Sequence, residues 1–341
     1  MDARSDIKAL DRAGLGDALR DFEQPAWRVS QVVRWLYQQG AASFGEMTDL
    51  SVGLRESLAG RYTLDRPDVV DRQVSADGTR KYLVRLSDGV SVETVALPED
   101  ARLTVCFSTQ AGCAMGCAFC ATGRSGLVRD LTPGEMVDQI SLVARDFGSR
   151  VSNAVAMGQG EPFANYGALL AALRFLNAKD GAGIGARHLT VSTCGLVSGI
   201  RRFASEPEQF TLAVSLHSAV QATRDRLMPG VRSYRLTVLR RALLDYSSSA
   251  ERRPTLEYAL IAGENDTDAQ LSALVRWCTG LPCHVNLIPI NPVAGSGLDR
   301  PPSGVAKRFR DTLMRAGIET SVRTERGSDI DAACGQLRQR S

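Results

Sequence analysis

Three cysteines in one short loop carry the clearest chemical signal in the sequence. Cys113, Cys117 and Cys120 are separated by three and then two residues, and Cys106 lies shortly before them, among eight cysteines in the chain. Three thiolates at this spacing can hold three irons of a [4Fe–4S] cluster and leave the fourth iron without a protein ligand.

The alternatives are a zinc site or buried structural cysteines. A zinc loop usually completes four ligands, and no fourth Cys or His lies at ligand spacing. The pattern therefore favours an iron–sulfur cluster with one open iron.

Alternating strands and helices predict the scaffold that positions this loop. We predict strands over Leu103–Thr109, Val151–Met157, His188–Thr193, Thr211–Leu216, Thr255–Ile261 and His284–Pro289. Helical spacing of apolar residues covers Pro133–Phe147, Tyr166–Asn177, Ala219–Leu227, Leu236–Tyr246, Asp268–Cys278 and Pro302–Ala316. Such alternation implies a parallel sheet. Because a complete eight-unit barrel takes ~250 residues and only about 230 are available here, we predict an α/β fold with a partial (β/α)6 TIM-like barrel.

The residues before this core predict two smaller segments. Residues 1–68 are predicted to form a small helical domain, with helices over Asp6–Ala18, Val29–Gln39 and Leu54–Ala59. Residues 69–100 predict a linker and a β-hairpin that turns at Asp88 and Gly89. Residues 101–341 then form the core. The simplest interpretation of the helical segment is a bundle that packs against this core.

The composition excludes several classes of protein. With 44% hydrophobic and 23% charged residues over 341 positions, the chain is neither disordered nor fibrous in character. No apolar run reaches the ~18 residues of a membrane span, and the charged start lacks the apolar segment of a secretory signal. We therefore expect a cytoplasmic protein without a membrane partner. The net charge of +3 is too small to indicate nucleic-acid binding by bulk electrostatics, so such a partner would need a local patch.

Polar residues at the ends of predicted strands indicate a ligand surface beside the cysteine loop. The segment MGQGEP (residues 157–162) follows the second strand, and taken alone it is a turn. Because the carboxyl ends of parallel strands meet at one edge of a sheet, residues that end successive strands form one surface. The candidate ligand-binding residues at these strand ends are Ser192, Ser215, Leu216, His217 and Asn291.

The cysteine loop resembles that of the radical S-adenosylmethionine (SAM) superfamily. In that superfamily the open iron chelates the amino and carboxylate groups of SAM, and one electron from the cluster breaks the sulfonium bond to give a 5′-deoxyadenosyl radical. The resemblance implies that Cys113, Cys117 and Cys120 hold a [4Fe–4S] cluster. It also implies that Phe119 lies beside the adenine of SAM and that the strand-end residues contact it. MGQGEP resembles the glycine-rich segment that lies along the methionine end of SAM, which implies that Gly160 permits close backbone approach and that Glu161 accepts a hydrogen bond from the ammonium group.

Longer motifs narrow the resemblance to the RlmN/Cfr family of RNA methyltransferases. These motifs are VETVALPEDARLTVCFSTQAGCAMGCAFCATG, MGQGEP, LAVSLH, LEYALI, VNLIPINP and RGSDIDAACGQL. The helices of residues 1–68 also resemble the accessory domain with which members of this family engage RNA. Gln159 stands where the family commonly has methionine, and Cys194 where it commonly has serine. We interpret Cys194, Cys278 and Cys283 as structural.

The resemblance implies how a methyl group reaches an unreactive carbon. Carbon 2 of adenine, flanked by two nitrogens, is electron-poor, so a radical must build the new bond. In the family a C-terminal cysteine, here Cys334, takes a methyl group from one SAM, and a second SAM supplies the radical that activates it. Cys106 matches the resolving cysteine, which forms a transient disulfide with Cys334. Glu93 matches the position of the proton acceptor.

The expected product is 2-methyladenosine in large-subunit ribosomal RNA (rRNA), with transfer RNA (tRNA) as a further substrate. The chemistry also implies an electron donor such as flavodoxin or ferredoxin. Three alternatives stay open: methylation of carbon 8 of adenosine as in Cfr, a paralogue with another RNA target, and a non-enzymatic RNA-binding protein with a structural metal site.

Overall fold

A ten-stranded sheet forms the centre of the protein. The computed structural model describes residues 4–293 and 295–337. Its strands are β1 (Ser5–Asp6), β2 (Tyr62–Thr63), β3 (Asp68–Val74), β4 (Arg80–Arg85), β5 (Ser91–Glu99), β6 (Arg102–Cys106), β7 (Gln110–Gly112), β8 (Leu127–Asp130), β9 (Asn153–Ala156), β10 (Leu189–Thr193), β11 (Thr211–Ser215), β12 (Thr255–Leu260), β13 (His284–Pro289) and β14 (Glu319–Val322). The order across the sheet is β14-β13-β12-β11-β10-β9-β6-β5-β4-β3, while β1 pairs with β2 and β7 with β8.

Helices connect most of the strands. They are α1 (Arg12–Asp21), α2 (Arg28–Arg34), α3 (Val52–Arg61), α4 (Ala121–Arg124), α5 (Pro133–Phe147), α6 (Tyr166–Asn177), α7 (Val197–Phe203), α8 (Gln221–Leu227), α9 (Leu236–Ser249), α10 (Asp268–Cys278) and α11 (Val305–Arg315). Single 3₁₀ turns cover Ile7–Ala9, Phe44–Glu46, Ala186–His188, Pro229–Val231 and Ser328–Ile330, and a π turn follows α2 at Trp35–Gln39. In the part of the chain that the structure describes, no helix combines the length and apolar character needed to cross a bilayer.

Local sequence explains the sharp bounds of α5. The Thr132 side chain accepts from the Glu135 N–H at 3.2 Å, and the Glu135 carboxylate accepts from the Thr132 N–H at 2.8 Å. This reciprocal cap satisfies two N–H groups that a helix start leaves without partners. Pro133 occupies the first helical position, and Gly148 ends the helix with a φ of 58°. The helix therefore spans the residues that its sequence pattern predicts.

The predicted partial barrel is confirmed, and it contains one strand more than expected. The six predicted strands are β6 and β9 to β13, and all neighbours among them pair parallel in chain order. The seventh parallel strand, β14, pairs with β13. It escapes prediction because it has four residues, of which only Thr320 is buried. Helix α7, of seven residues, also lies outside the predicted helices.

The β-hairpin extends the parallel sheet on one side. Strands β4 and β5 pair antiparallel around a turn in which Gly89 has a φ of 88°, and β5 pairs antiparallel with β6. A third antiparallel strand, β3, adds to β4 although almost all of its residues are exposed. The hairpin therefore places β5 directly beside β6, the strand that carries Cys106.

The N-terminal helices pack against the helices of the barrel. The helix expected over Asp6–Ala18 is interrupted, because the Asp11 side chain accepts from the Gly14 N–H at 2.8 Å and starts α1 at Arg12. The Tyr37 ring lies 4.7 Å from the Phe175 ring of α6. The buried Lys8 also forms an ion pair with Asp138 of α5. One continuous apolar core therefore joins the N-terminal helices to the sheet.

Candidate active site

The three cysteines of the loop face one cavity. The loop follows β7 and ends at α4, and Cys113, Cys117 and Cys120 all line a cavity of about 1020 Å³, counted with its open mouth. Backbone hydrogen bonds fix the loop: the Cys113 N–H donates to the Gly126 carbonyl at 2.8 Å, and the Cys120 N–H donates to the Cys117 carbonyl at 3.1 Å. The structure thus brings together the three thiols that the spacing singled out.

The electrostatics of these thiols suit a positively charged cofactor. Burial raises the pKa of Cys113 to about 12, and the neighbouring sulfurs of Cys117 and Cys120 add to the shift. Burial also raises the pKa of Cys120. Across residues 4–293 and 295–337, no group of three or more His, Cys, Asp or Glu side chains is arranged to hold a single metal ion. Three thiols that line one cavity, with Cys113 and Cys117 buried and Cys120 half-buried, fit a larger iron–sulfur core, whose positive charge stabilises thiolates.

The carboxyl ends of the parallel strands build another part of the cavity wall. The residues that line it there are Gly160, Glu161, Ser192, Ser215, His217 and Asn291, together with Phe119 from the cysteine loop. Leu216 does not line the cavity. Its side chain is fully buried in the apolar core with those of Leu212 and Val214, which occupy the same face of β11, whereas Ser215 faces the other way. His217 lies beyond the end of the strand and has a φ of 54°.

Glu161 is held rigidly in this wall. One carboxylate oxygen accepts from the Phe163 N–H at 3.0 Å and the Thr193 hydroxyl at 2.7 Å, and the other accepts from the Cys194 N–H at 2.6 Å. Burial raises the pKa of Glu161, and these hydrogen bonds oppose the shift. Because an ionised carboxylate offers about four acceptor positions, Glu161 retains capacity for a ligand's donor group.

Two glycines allow the segment before Glu161 to reach its position. A Cβ atom at Gly158 would lie 2.7 Å from the Phe107 backbone, and one at Gly160 would lie 2.7 Å from Gln110 Cβ. Gly160 also has a φ of 104°, which residues with a side chain rarely adopt. The close approach of the MGQGEP segment to its neighbours therefore requires glycine at both positions.

His217 is a neutral imidazole beside Phe119. Its Nδ1 accepts from the Ala259 N–H at 2.9 Å, so the ring proton resides on Nε2. Burial lowers the pKa of His217 to about 3, and the nearby Arg224 guanidinium adds to the shift. The two rings meet edge to face, with centroids 4.6 Å apart. They form an aromatic corner of the cavity that suits the flat face of a heterocycle.

We expect His217 to make the fold less stable in acid. Above a pH of about 6.5 the imidazole is neutral in both the folded and the unfolded chain. Between pH 6.5 and about 3 the unfolded chain binds a proton at this ring, whereas the buried ring of the folded chain stays neutral. Stability is therefore lost as pH falls through this window, at about 1.4 kcal/mol per pH unit. Guanidinium unfolding of the metal-free protein at pH 7 and pH 5 should show a loss about 2 kcal/mol smaller for His217→Asn than for the parent. Equal losses would contradict this assignment.

A second cavity adjoins the first and contains the other two candidate cysteines. Cys106 and Cys334 both line it, with Val95 and Leu97 of β5. The residues that line both cavities are Cys120, Thr122, Met157, Gly158, Ile288, Asn291, Arg323, Cys334 and Gly335. Cys334 therefore stands at the junction of the two cavities, whereas Cys106 lines the second alone.

Helix α4 anchors the segment that carries Cys334. The Ala121 N–H donates to the Gly335 carbonyl at 2.8 Å, and the Thr122 hydroxyl donates to the Leu337 carbonyl at 2.6 Å. Since α4 starts directly after Cys120, the same few residues position the cysteine loop and the C-terminal segment. The junction of the two cavities is thus a consequence of this contact.

The thiols of Cys106 and Cys334 are both free. Burial raises the pKa of Cys106 to about 12, the nearby Cys334 adds to the shift, and the Arg323 guanidinium opposes it. Because the thiolate is the nucleophile in thiol exchange, Cys106 is protonated and unreactive in this state. The transient disulfide that the family resemblance implies is not formed in this structure.

Glu93 lies on β5 outside the linings of both cavities. It is 1% exposed, and its carboxylate is 3.8 Å from Lys81 Nζ. It shares a face of the strand with Val95 and Leu97, which line the second cavity. Lys81 also donates to the Asp331 carbonyl at 3.2 Å, so this buried pair touches the segment that carries Cys334.

The sequence pattern missed several residues of the first cavity. Cys194, interpreted as structural, lines this cavity, and its sulfur is 3.9 Å from that of Cys117. Its position at the carboxyl end of β10, just after Ser192, is a signal that could have found it. Glu257 and Arg323 line the cavity as well. Cys278 and Cys283, by contrast, are buried in the apolar core.

Comparison with known proteins agrees with this geometry. Residues 5–64 match the family described as "Ribosomal RNA large subunit methyltransferase N-terminal domain", and residues 107–273 match the radical SAM superfamily. A crystal structure of a radical SAM methyltransferase from Sphaerobacter thermophilus superposes with a TM-score of 0.91 at 44% identity, covering 98% of this chain and 99% of that one.

Curated relatives extend the likeness over nearly the full chain. The probable dual-specificity RNA methyltransferase RlmN of Pelotomaculum thermopropionicum is 47% identical over 339 residues, which are 99% of this chain and 92% of the relative. The dual-specificity RNA methyltransferase RlmN of Anaeromyxobacter dehalogenans is 44% identical over 344 residues, covering 98% and 92%. With the three-cysteine cavity and its junction at Cys334, these matches show that the chain belongs to the RlmN family of radical SAM RNA methyltransferases.

Proposed function

We propose that this protein methylates carbon 2 of adenosine in rRNA and tRNA, with the methyl group carried by Cys334. The observation that carries the proposal is the position of Cys334, which lines both the cavity of the three cysteines and the cavity that contains Cys106. A carrier thiol must meet a methyl donor on one side and the RNA base on the other. Relatives at 44–47% identity are named dual-specificity RNA methyltransferases, which supports the choice of substrates.

The first cavity is proposed to hold the cluster and SAM. Cys113, Cys117 and Cys120 would bind a [4Fe–4S] cluster, which with SAM supplies one-electron chemistry that generates a carbon radical. Two SAM molecules serve each turnover, since the methyl donor and the radical source are separate molecules. A small one-electron donor protein, such as a flavodoxin or a ferredoxin, is proposed as the source of electrons.

The strand ends are proposed to orient SAM. Glu161 would accept from its ammonium group, and Phe119 and His217 would pack on its adenine. The residues that complete this set by lining the cavity are Gly160, Ser192, Ser215 and Asn291. Leu216, buried in the core, would act by holding its two neighbours in place.

Three residues around the second cavity are proposed to handle the RNA base. Cys334 would bind it covalently through the methyl carbon. Cys106, as a thiolate, would then attack the Cys334 sulfur, so that an S–S bond forms while the bond from that sulfur to the methyl carbon breaks. The electron pair of the broken bond would stay with the methyl carbon, which takes up a proton as the methylated base is released. Glu93 would accept the proton that the base loses. Its support is the face of β5 that it shares with Val95 and Leu97, which line the second cavity.

The N-terminal helices are proposed to engage RNA. The support is the match of residues 5–64 to the N-terminal domain of rRNA methyltransferases. In this proposal residues 1–68 form the accessory domain, residues 69–100 the linker and hairpin, and residues 101–341 the catalytic core. The reaction would take place in the cytoplasm, where rRNA and tRNA are found.

The regiochemistry and the substrates can be tested in one assay. The anaerobically reconstituted protein would be incubated with SAM, a one-electron reductant, and either an rRNA fragment or tRNA. Mass spectrometry of the digested nucleosides should detect 2-methyladenosine in both. Only 8-methyladenosine would point to Cfr-type activity, and product in only one RNA would limit the range of substrates. RNA binding without any methylated nucleoside would overturn the proposal.

A further inference from the structure

The half-buried thiol of Cys194 and the buried guanidinium of Arg224 lie close to Cys117. The Cys194 sulfur is 3.9 Å from the Cys117 sulfur. The backbone of Cys194 is held from two sides, because its N–H donates to the Glu161 carboxylate at 2.6 Å and its carbonyl accepts from Arg224 at 2.7 Å. This double anchoring keeps the Cys194 thiol directed at one of the three proposed cluster ligands.

Among the described residues, the guanidinium of Arg224 has fewer hydrogen-bond partners than a buried cation requires. Its side chain is 0% exposed, and Nε and one terminal nitrogen have no hydrogen-bond partner among the described residues. Burial lowers the pKa of Arg224, while the nearby sulfurs of Cys194 and Cys117 oppose the shift. An uncompensated buried charge is strongly destabilising. The structure thus places two donors without a protein partner in the described residues, and a positive charge, close to the sulfurs of Cys194 and Cys117.

An iron–sulfur cluster on the three thiols would supply a negative partner for the Arg224 guanidinium. The charges of three thiolates outweigh the charge of the oxidised [4Fe–4S] core, so the loaded site is anionic, and each added electron makes it more so. Hydrogen bonds to the cluster sulfurs and nearby positive charge raise the reduction potential, because they stabilise the reduced form more than the oxidised form. A thiolate bound to iron cannot donate, so Cys194 must be the donor in its contact with Cys117.

We propose that Cys194 donates an S–H hydrogen bond to the ligand sulfur of Cys117 and, together with the charge of Arg224, raises the reduction potential of the cluster. This inference rests on the proposed function, which places a cluster on Cys113, Cys117 and Cys120. Cys194 and Arg224 are positioning residues in this scheme. They ease the uptake of one electron from the donor protein and take no part in bond making.

The test is a reductive titration of the reconstituted protein, followed by electron paramagnetic resonance of the reduced cluster in the absence of SAM. Cys194→Ala removes the donor, and we expect the ratio of reduced to oxidised cluster at a fixed solution potential to fall by up to about tenfold, or ~59 mV for one electron. Cys194→Ser restores a donor and should return most of the potential. Cys278→Ala, which alters a buried thiol in the apolar core, is the matched control and should match the parent.

Arg224→Gln tests the second part of the proposal, because it removes the positive charge and the guanidinium that donates to the Cys194 carbonyl. It should also lower the potential. Iron and sulfide analysis separates the two proposals: a parent protein that binds no cluster overturns the proposed function and this inference with it. If the parent and both Cys194 variants hold the same cluster at the same potential, the inference alone is overturned. A potential that rises in Cys194→Ala has the same consequence.

Discussion

Cys334→Ala should abolish methylated RNA, with product falling by more than about 10³-fold, as for the loss of other covalent catalytic residues. The reason is that alanine offers no sulfur to take the methyl group, while Cys334 stands where both cavities meet. The measurement is nucleoside mass spectrometry after an anaerobic reaction. Methyl-labelled SAM should in addition leave no label on the variant protein.

The controls for this experiment separate chemistry from folding. Iron content should equal that of the parent, because Cys334 is outside the three-cysteine loop. Cys278→Ala should keep activity, since that thiol lies in the apolar core. Methylation by Cys334→Ala at the parent rate would show that no carrier thiol at this position is needed.

Cys106→Ala should trap the protein on its RNA. Cys334 would still be methylated and still bind the base, but the adduct could not be resolved, so we expect turnover to fall by more than about 10³-fold. The second cavity explains why no other thiol can substitute: its lining in the described residues contains only Cys106, Cys334 and the proposed cluster ligand Cys120. A denaturing gel should show a protein–RNA species that survives reductant, because its link is a thioether.

The double variant Cys106→Ala/Cys334→Ala is the matched control for this trap. It lacks the carrier and should give no adduct, which would assign the link to Cys334. Free methylated RNA from Cys106→Ala at the parent rate would mean that the adduct is resolved without Cys106. The raised pKa of Cys106 adds a condition, because this thiol must lose its proton before it can attack the Cys334 sulfur.

The sequence predicted well those parts of the site whose residues are close along the chain or lie on strands that pair in chain order. The three cysteines lie in one loop, so their spacing alone brings them to one cavity. The strand-end residues reach the same edge because successive parallel strands pair in chain order. Leu216 shows the limit of this reasoning: it belongs to the same motif as Ser215 and His217, yet its side chain packs with Leu212 and Val214 in the apolar core.

The sequence by itself determined the α/β class, six of the seven parallel strands and the cysteine loop. These features depend on apolar periodicity and on the spacing of neighbouring residues, both of which are local. The tertiary structure decided which distant residues meet. Cys334 reaches the cavity wall through hydrogen bonds to α4, and Cys194 and Arg224 gather behind Cys117. These contacts depend on strand register and on the packing of separate elements, so no spacing along the chain encodes them.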